Sequence, residues 1–425
     1  MKILFLTENF PPETNAAANR VFERAVYWVR WGYDVTVITG APNFPQGNVY
    51  DGYRNKWYQT EMRDGIKVVR VKTFIAPNRG TWLRAIDFAS FLVTAFVAGV
   101  FVRGPDVVVA TSPQFFSAVA GWLVGLFHRR PFVFELGDIW PASIIAVGAI
   151  KGGLVLRMME KVERFLYRRA SCIAAVSPAF KQNLVKRGIP ADKIAIVING
   201  VEQSRFRPSS VDPVLARDWN LEGKFVVGYL GTHGMAHALD NVLDAAELLR
   251  DEPNICFLLV GNGAEREKLI ASAQERQLDN VIFVPSQPRS EMPRVWSLCD
   301  VALVHLKDSP TFAEVIPSKI FEAMAMGCPI LLASPKGAAS SIVTGDNAGI
   351  WVPAEQPGQL AQCVLRLVRD VDEFQVLAAN ALGAAPKYSR RQQSEEMLQV
   401  LEIAAIGRGD RVAPFLSGQA ATLAG

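Results

Sequence analysis

Glu314-Val-Ile-Pro-Ser-Lys-Ile-Phe-Glu-Ala-Met-Ala-Met-Gly-Cys-Pro-Ile-Leu-Leu332 decides how the chain folds. Pro317 suits the first turn of a helix, where a missing N–H costs nothing and φ is already set. Ser318 and Lys319 then fall in that first turn. Ile330–Leu332 is a short apolar run of strand type behind the helix, and Val301–Val304 is another ahead of it. A strand, a helix and a strand of this kind build a parallel sheet covered on both faces.

The unit repeats outward. Upstream lie strands at Phe225–Leu230, Ile255–Val260 and Val281–Val284; downstream lie a strand at Gly349–Val352 and a helix at Leu360–Val368. Ser204 to Gly223 breaks the rhythm with Pro208, Ser209, Ser210, Asp212 and Pro213, and reads as a linker. Before it the alternation runs through strands at Ile3–Leu6, Asp34–Ile38, Lys67–Val71, Val107–Ala110, Phe132–Glu135, Cys172–Val176 and Lys193–Ile198. Ala16–Trp31 and Lys151–Arg169 read as helices among them. The expected fold class is α/β, with two Rossmann-like doubly wound domains over residues 1–203 and 204–388. A helix over 389–406 is expected to pack back on the first domain, ahead of a flexible tail over 407–425. Ligands of such sheets sit beyond the carboxyl ends of the strands, so two domains can face a central cleft.

The chain has 425 residues and a net charge of +4, too small a surplus for a nucleic-acid binder. Half of the residues are apolar and 20% are charged, with a mean hydropathy of +0.16. That excludes disorder for the bulk of the chain and hints at contact with something other than water. The five cysteines form no C-x-x-C pair, which argues against a disulfide framework or a structural zinc site. Of the four histidines, His233 and His237 lie in a glycine turn with no third ligand near, so no metal is expected. Asp370-Val371-Asp372 has metal-motif spacing but reads as solvated surface. No strand leads into G-x-G-x-x-G, which disfavours a nicotinamide enzyme.

Two stretches locate the apolar excess. Between Arg84 and Arg103 the only charge is Asp87, and Val107 to Phe127 carries none. A spanning helix needs about 20 apolar residues. The first stretch is borderline and reads as a buried or membrane-contacting helix more readily than as a span. Six of the nine tryptophans (Trp28, Trp31, Trp57, Trp82, Trp122 and Trp140) fall in the same part of the chain.

The chemistry concentrates in the opening stretch. A helix N-terminus gathers free N–H groups and positive potential, and Lys319 beside it suits a diphosphate. Glu322, one turn on, can accept from two ribose hydroxyls, and Glu314 ahead of the helix would face a bound sugar. A capped surface helix with an incidental lysine is the plainer alternative. In the first half, Glu13, Glu135 and Asp138 are the carboxylates able to orient a second substrate, with Asp138 preferred beside Trp140 and Pro141 at a strand end. Val284-Pro-Ser286-Gln287 ends a strand where backbone groups suit a uracil edge.

The Glu-x7-Glu segment, with Pro317-Ser318-Lys319 inside it and Glu322-Ala-Met-Ala-Met-Gly327-Cys-Pro329 at its end, resembles family 4 of the retaining glycosyltransferases, whose fold is GT-B. Glu8-Asn-Phe-Pro-Pro-Glu-Thr-Asn-Ala-Ala-Ala-Asn-Arg20 resembles the family's first-strand loop, and Trp31-Gly-Tyr-Asp-Val-Thr-Val-Ile-Thr39 its second strand. Ala175-Val-Ser-Pro178, Ile198-Asn199-Gly-Val201 and Gly261-Asn-Gly-Ala-Glu265 agree in order. Pro42-Asn-Phe-Pro-x-Gly47 and Gly137-Asp138-Ile-Trp140-Pro141 are similar to bacterial surface-polysaccharide enzymes, including an N-acetyl-L-fucosamine transferase-like subgroup.

The resemblance implies a retaining, metal-independent transfer without a cofactor, from a UDP-sugar to a polyprenyl-diphosphate-linked saccharide in O-antigen or capsule synthesis. It implies catalytic roles for Glu314, Lys319 and Asp138. The residues expected to contact substrate are Glu322, Ser318, Gly231, Thr232, His233, Gly234, Asn15, Ala16, Ser286, Gln287, Gly261 and Asn199. The enzyme would sit peripherally on the cytoplasmic face of the bacterial inner membrane, docked through residues 82–130 with Arg84, Arg103, Arg129 and Arg130 near anionic headgroups. Two departures stand out. Asn15-Ala16 replaces the usual Gly-Gly, and Gly231-Thr-His-Gly-Met-Ala-His237 lacks the Arg and Lys that relatives use to hold the diphosphate. Lys319 is the first candidate substitute and His233 the second. A sugar-nucleotide 2-epimerase on the same fold and a non-catalytic nucleotide-sugar-binding protein are the alternatives.

Overall fold

A computed structural model describes residues 1–44, 47–75, 81–112, 115–139 and 153–407. Trp140, Pro141, the side chains of Trp82 and Arg84 and the tail beyond Gly407 lie outside the described residues. The chain forms two compact units, Met1–Ile198 with the chain from Arg390 onward, and Asn199–Ser389. Asn199 thus belongs to the second unit rather than to the end of the first.

The first unit holds an eight-stranded sheet in the order β3-β4-β2-β1-β5-β6-β7-β8. Its strands are β1 (Lys2–Leu6), β2 (Asp34–Gly40), β3 (Tyr58–Arg63), β4 (Ile66–Val71), β5 (Val107–Thr111), β6 (Phe132–Leu136), β7 (Cys172–Ala175) and β8 (Ile194–Ile196). All neighbours are parallel except β3, which pairs antiparallel with β4. The central strands are buried along their length because both faces are covered, which is why their Val and Ile runs do not alternate. Ile3, Phe5, Val35, Val37, Val107 and Val109 pack under α1 (Ala16–Arg30) and the terminal helix Arg390–Ala405. The terminal helix is tied there by the buried Arg390–Glu23 pair at 2.8 Å and by the Trp28 indole N–H donating to the Ser394 carbonyl at 2.9 Å. Breaking a buried pair of this kind costs about 3–5 kcal/mol.

Helices α2 (Thr81–Val100), α3 (Phe115–His128) and α4 (Leu154–Arg169) pack side by side, α2 on α3 and α3 on α4. Gly121 of α3 lets the helix lie on Ala110 and Phe132, and Trp122 meets Phe165 of α4 edge-on at 4.9 Å. Among the described residues no helix is long and apolar enough to cross a membrane.

The edge strand β3 escapes the sequence reading because it is half exposed and carries no apolar run. Its hairpin turn, Asp64-Gly65 with positive φ at both residues, is the local signal that encodes it.

The second unit holds a six-stranded parallel sheet in the order β11-β10-β9-β12-β13-β14. Its strands are β9 (Phe225–Leu230), β10 (Ile255–Val260), β11 (Val281–Val284), β12 (Val301–His305), β13 (Ile330–Ala333) and β14 (Gly349–Val352). The expected linker is folded into this unit. Asp212 caps the helix Pro213–Asp218, accepting from the Val214 and Leu215 amides, and pairs with Arg294 at 2.7 Å. Its Pro, Ser and Asp content was therefore a capping signal as much as a loop signal. The order reverses between β9 and β12, and a crevice beyond their carboxyl ends is the place where such a sheet binds its ligand.

Candidate functional site

The residues at that switch point form one interlocked structure. Gly231 follows β9 and its amide donates to the Val260 carbonyl; Gly261 follows β10 and its amide donates to Val284. His233 donates to Asn262 through its backbone, and its carbonyl accepts from the Glu265 amide. The two glycine turns are pressed so closely that a Cβ on Gly261, at φ +157°, would stand 1.8 Å from the Gly231 oxygen. On Gly263 it would stand 2.2 Å from the His233 oxygen. Across the switch point His237 and His305 each place a ring nitrogen on the other's carbonyl, at 3.3 and 2.7 Å. The backbone after β9 is thereby fixed from both sides.

Onto this turn comes Lys319. Its helix, Lys319–Met326, begins two residues later than Pro317 predicts; Ser318 is the N-cap rather than a first-turn residue, and its hydroxyl makes no capping bond. The Lys319 ammonium is buried, lies 3.5 Å from the centroid of the Tyr229 ring, and has no hydrogen-bond partner among the described residues. Gly231 leaves room for it, since a Cβ there would be 2.7 Å from Nζ. Tyr229 is fully buried and donates its hydroxyl to the Thr232 carbonyl at 2.8 Å, so its ring cannot turn away. Burial pulls the ammonium down to about 7, against the attraction of Glu322. His233 is fully buried with both ring nitrogens unpartnered among the described residues. Burial, then Lys319 and Arg266, hold it near 4, so its imidazole is neutral at pH 7.

Glu322 lies one turn into the helix, and each carboxylate oxygen has a donor: Arg289 at 2.8 Å on one and the Trp296 indole N–H at 3.2 Å on the other. Glu314 closes the short turn Pro310–Glu314 just ahead of the helix and is half-buried. Ser286 is exposed on the loop after β11, and Gln287 turns its amide back onto the Pro285 carbonyl. Gly231, Thr232, His233, Gly234, Gly261 and Lys319 are thus brought together, with Tyr229, Gly263, Arg289 and Trp296 added by the structure. Asn199 lies where Gly200 passes tightly against the backbone of Tyr388 and Ser389.

In the first unit, Asn15 caps α1 through its side-chain oxygen on the Ala18 amide, with Ala16 the first helical residue. The Asn15 amide nitrogen is buried and unpartnered among the described residues. Asp138 is half-buried, and Ser112 ties its backbone down at both amide and carbonyl. Glu135 and Glu13 are each held by fixed partners. Glu135 is buried against Arg20 at 2.9 Å and Arg24 at 2.5 Å, and those arginines hold it below the usual carboxylate range despite burial. Glu13 fixes the Asn43 and Phe44 amides, and burial lifts it to about 7.

Two family descriptions match the chain in tandem: "Glycosyl transferase 4-like domain" over residues 15–200 and "Glycosyl transferases group 1" over 214–382. The chain is a tandem of these two glycosyltransferase domains. It is 28% identical over 335 residues, 77% of its length and 82% of the other, to a protein named as a colanic acid biosynthesis glycosyl transferase, WcaI of Escherichia coli K12. It is 24% identical over 384 residues, 90% of its length and 92% of the other, to a GDP-mannose-dependent alpha-mannosyltransferase of Mycobacterium tuberculosis. The fold of Anabaena HepE, solved with UDP and glucose, superposes with a TM-score of 0.72 at 20% identity, covering 95% of this chain and 99% of that one. The two Rossmann-like units are those of GT-B.

The turn after β9 carries no Arg or Lys of its own. A cation does reach that turn, delivered from the helix after β12 and seated on Gly231.

Proposed function

We propose that this glycosyltransferase moves a sugar, an N-acetylated deoxyhexosamine in the favoured case, from a UDP-sugar to a polyprenyl-diphosphate-linked saccharide during bacterial surface-polysaccharide synthesis. The reading rests above all on the buried Lys319 ammonium, which has no hydrogen-bond partner among the described residues and would gain one from an anion. A departing nucleoside diphosphate gains negative charge, and a fixed cation with preorganised N–H groups stabilises it without a metal. Neutral His233 can donate one further hydrogen bond, and the Gly231 and Gly234 turn lets phosphate oxygens approach the backbone. Glu322 takes the ribose hydroxyls and Glu314 the donor sugar. Retention follows from attack on the face the diphosphate leaves. The acceptor oxygen bonds to the anomeric carbon, the bond to the phosphate oxygen breaks, and the acceptor proton passes to that phosphate oxygen. Asp138 orients the acceptor, the choice favoured by its place just beyond the carboxyl end of β6. The colanic acid relative supports the polysaccharide setting, and HepE supports uridine, while the mannosyltransferase makes guanosine the comparison to run.

A panel of UDP- and GDP-sugars, with and without lipid-diphosphate saccharide, tests this by nucleotide release and product mass. Transfer to the lipid from a UDP-sugar is expected. Sugar interconversion without acceptor would instead identify an epimerase, and binding without turnover a non-catalytic protein.

A membrane surface completes the proposal. Along α2, Ile86, Val93, Val97 and Phe101 just beyond it are exposed, Phe101 by 74%, and Trp57 beside them by 73%. Trp57, Tyr58, Val93, Val97 and Phe101 line an apolar groove of about 540 Å³. Met158, Val162 and Phe165 of α4 are exposed among Arg157, Lys161, Arg164, Arg168 and Arg169, and Arg103, Arg129 and Arg130 are exposed nearby in sequence. Apolar side chains ringed by cations are what an anionic bilayer surface attracts, at about 1 kcal/mol per basic residue. We expect the protein to pellet with vesicles containing anionic lipid and the Val97→Asp/Phe101→Asp double variant, altered only at exposed positions, to stay largely in the supernatant. Equal pelleting would remove this surface from the proposal.

A further inference from the structure

The proposed ribose contact needs more than Glu322. A carboxylate on a helix can adopt several rotamers, and a ribose diol is read only if both oxygens stand in one plane at hydrogen-bond distance from both hydroxyls. Here the carboxylate is held at two points. Arg289 donates through Nη1 to one oxygen at 2.8 Å and Trp296 through Nε1 to the other at 3.2 Å. Each oxygen keeps acceptor capacity for one more donor, since a carboxylate offers about four lone-pair sites. The holders are themselves fixed. Trp296 is buried, and the Arg289 guanidinium lies 5.2 Å from the centroid of the Phe206 ring, which is also buried. The Glu322 side chain retains 14% exposure and Arg289 20%, so the pair is reachable by a ligand yet largely shielded from water.

We infer that Arg289, seated on Phe206 and working with Trp296, is a positioning residue that locks Glu322 for recognition of the nucleotide's ribose hydroxyls. The inference rests on the ribose role proposed for Glu322. Arg289 touches neither sugar nor phosphate in this role; it acts through the carboxylate. Its loss should therefore weaken only what the two hydroxyls contribute.

The test measures binding of UDP and 2′,3′-dideoxy-UDP, with GDP and 2′,3′-dideoxy-GDP alongside because ribose is common to both, to the full chain and to Arg289→Gln, Arg289→Lys and Glu322→Gln. Hydrogen bonds to a charged group are strong enough that the native protein should prefer the ribose form of the nucleotide it binds by about 10- to 100-fold. In Arg289→Gln that preference should shrink to within about threefold, with affinity for the dideoxy form unchanged; Arg289→Lys should restore part of it. A preference kept in full by Arg289→Gln overturns the inference. So does an equal loss for ribose and dideoxy forms, which is the mark of a merely structural role. Should Glu322→Gln itself keep the native preference, the ribose role of Glu322 fails first. Should Glu322→Gln lose it while Arg289→Gln keeps it, Glu322 stands and only Arg289 falls.

Discussion

Lys319→Met should cut kcat/KM by about 10²–10³ or more while raising the thermal midpoint at neutral pH. The two effects have one cause. Methionine fills the same space over Tyr229, so packing is kept, but the cation that would meet the leaving diphosphate is gone. The same cation destabilises the free protein, because its ammonium is buried with no hydrogen-bond partner among the described residues. The pH dependence has a definite sign. The folded value, about 7, lies below the ordinary 10.5, so between these limits the unfolded chain holds a proton the folded chain has released. Stability of the native protein should therefore rise with pH across that window, and the advantage of Lys319→Met should narrow as it does. Nucleotide affinity should move the opposite way, falling by up to about tenfold per pH unit above 7, since the diphosphate needs the protonated form. Melting curves and titration calorimetry from pH 6 to 9 read both. A variant with native turnover, or one less stable than the native chain at pH 7, would show that Lys319 is not a charge held ready for an anion.

Gly261→Ala should be the most damaging change of a single methyl group. The added carbon would stand 1.8 Å from the Gly231 oxygen and 2.8 Å from its carbonyl carbon. Backbone, not a flexible side chain, receives the clash. Neither turn can retreat, because the Gly231 and Gly261 amides continue the sheet's hydrogen bonds to Val260 and Val284 and His233 is bonded to Asn262 and Glu265. The φ of +157° adds strain for any residue with a Cβ. A loss of about 3–5 kcal/mol and a fall in midpoint on the order of 10 °C are expected. Any folded fraction should bind nucleotide at least about 100-fold more weakly, since the turn that seats Lys319 is displaced. Native melting together with native affinity would mean that the turns are looser than their packing implies.

Much of this was legible in the chain itself. Parallel strands buried on both faces must be continuous apolar runs, so β1, β5, β9, β10 and β12 announce themselves, and the Gly, Pro and Ser between them mark the turns. The helix start that sets Lys319 and Glu322 one turn apart, with Glu314 just ahead of it, was legible too, because a helix start imposes fixed spacings. Elements defined by something other than a local apolar pattern were not. β3 is a polar edge strand, and Pro213–Asp218 is a short capped helix inside what composition calls a linker.

The sequence by itself determined two doubly wound α/β units, the likeness to glycosyltransferases, and the helix start over residues 314–322 between two strands. All three follow from the order of residues within a strand, a helix or a turn. Only the tertiary structure decided what each charged group meets. It set Lys319 on Gly231 and Tyr229, Arg289 and Trp296 on Glu322, and Glu135 between two arginines. Partners such as Arg20 and Glu135, or Tyr229 and Lys319, come from distant elements of the chain. What joins them is the strand order of the sheet, which no local spacing records, and their protonation depends on burial that exists only once the sheet is covered.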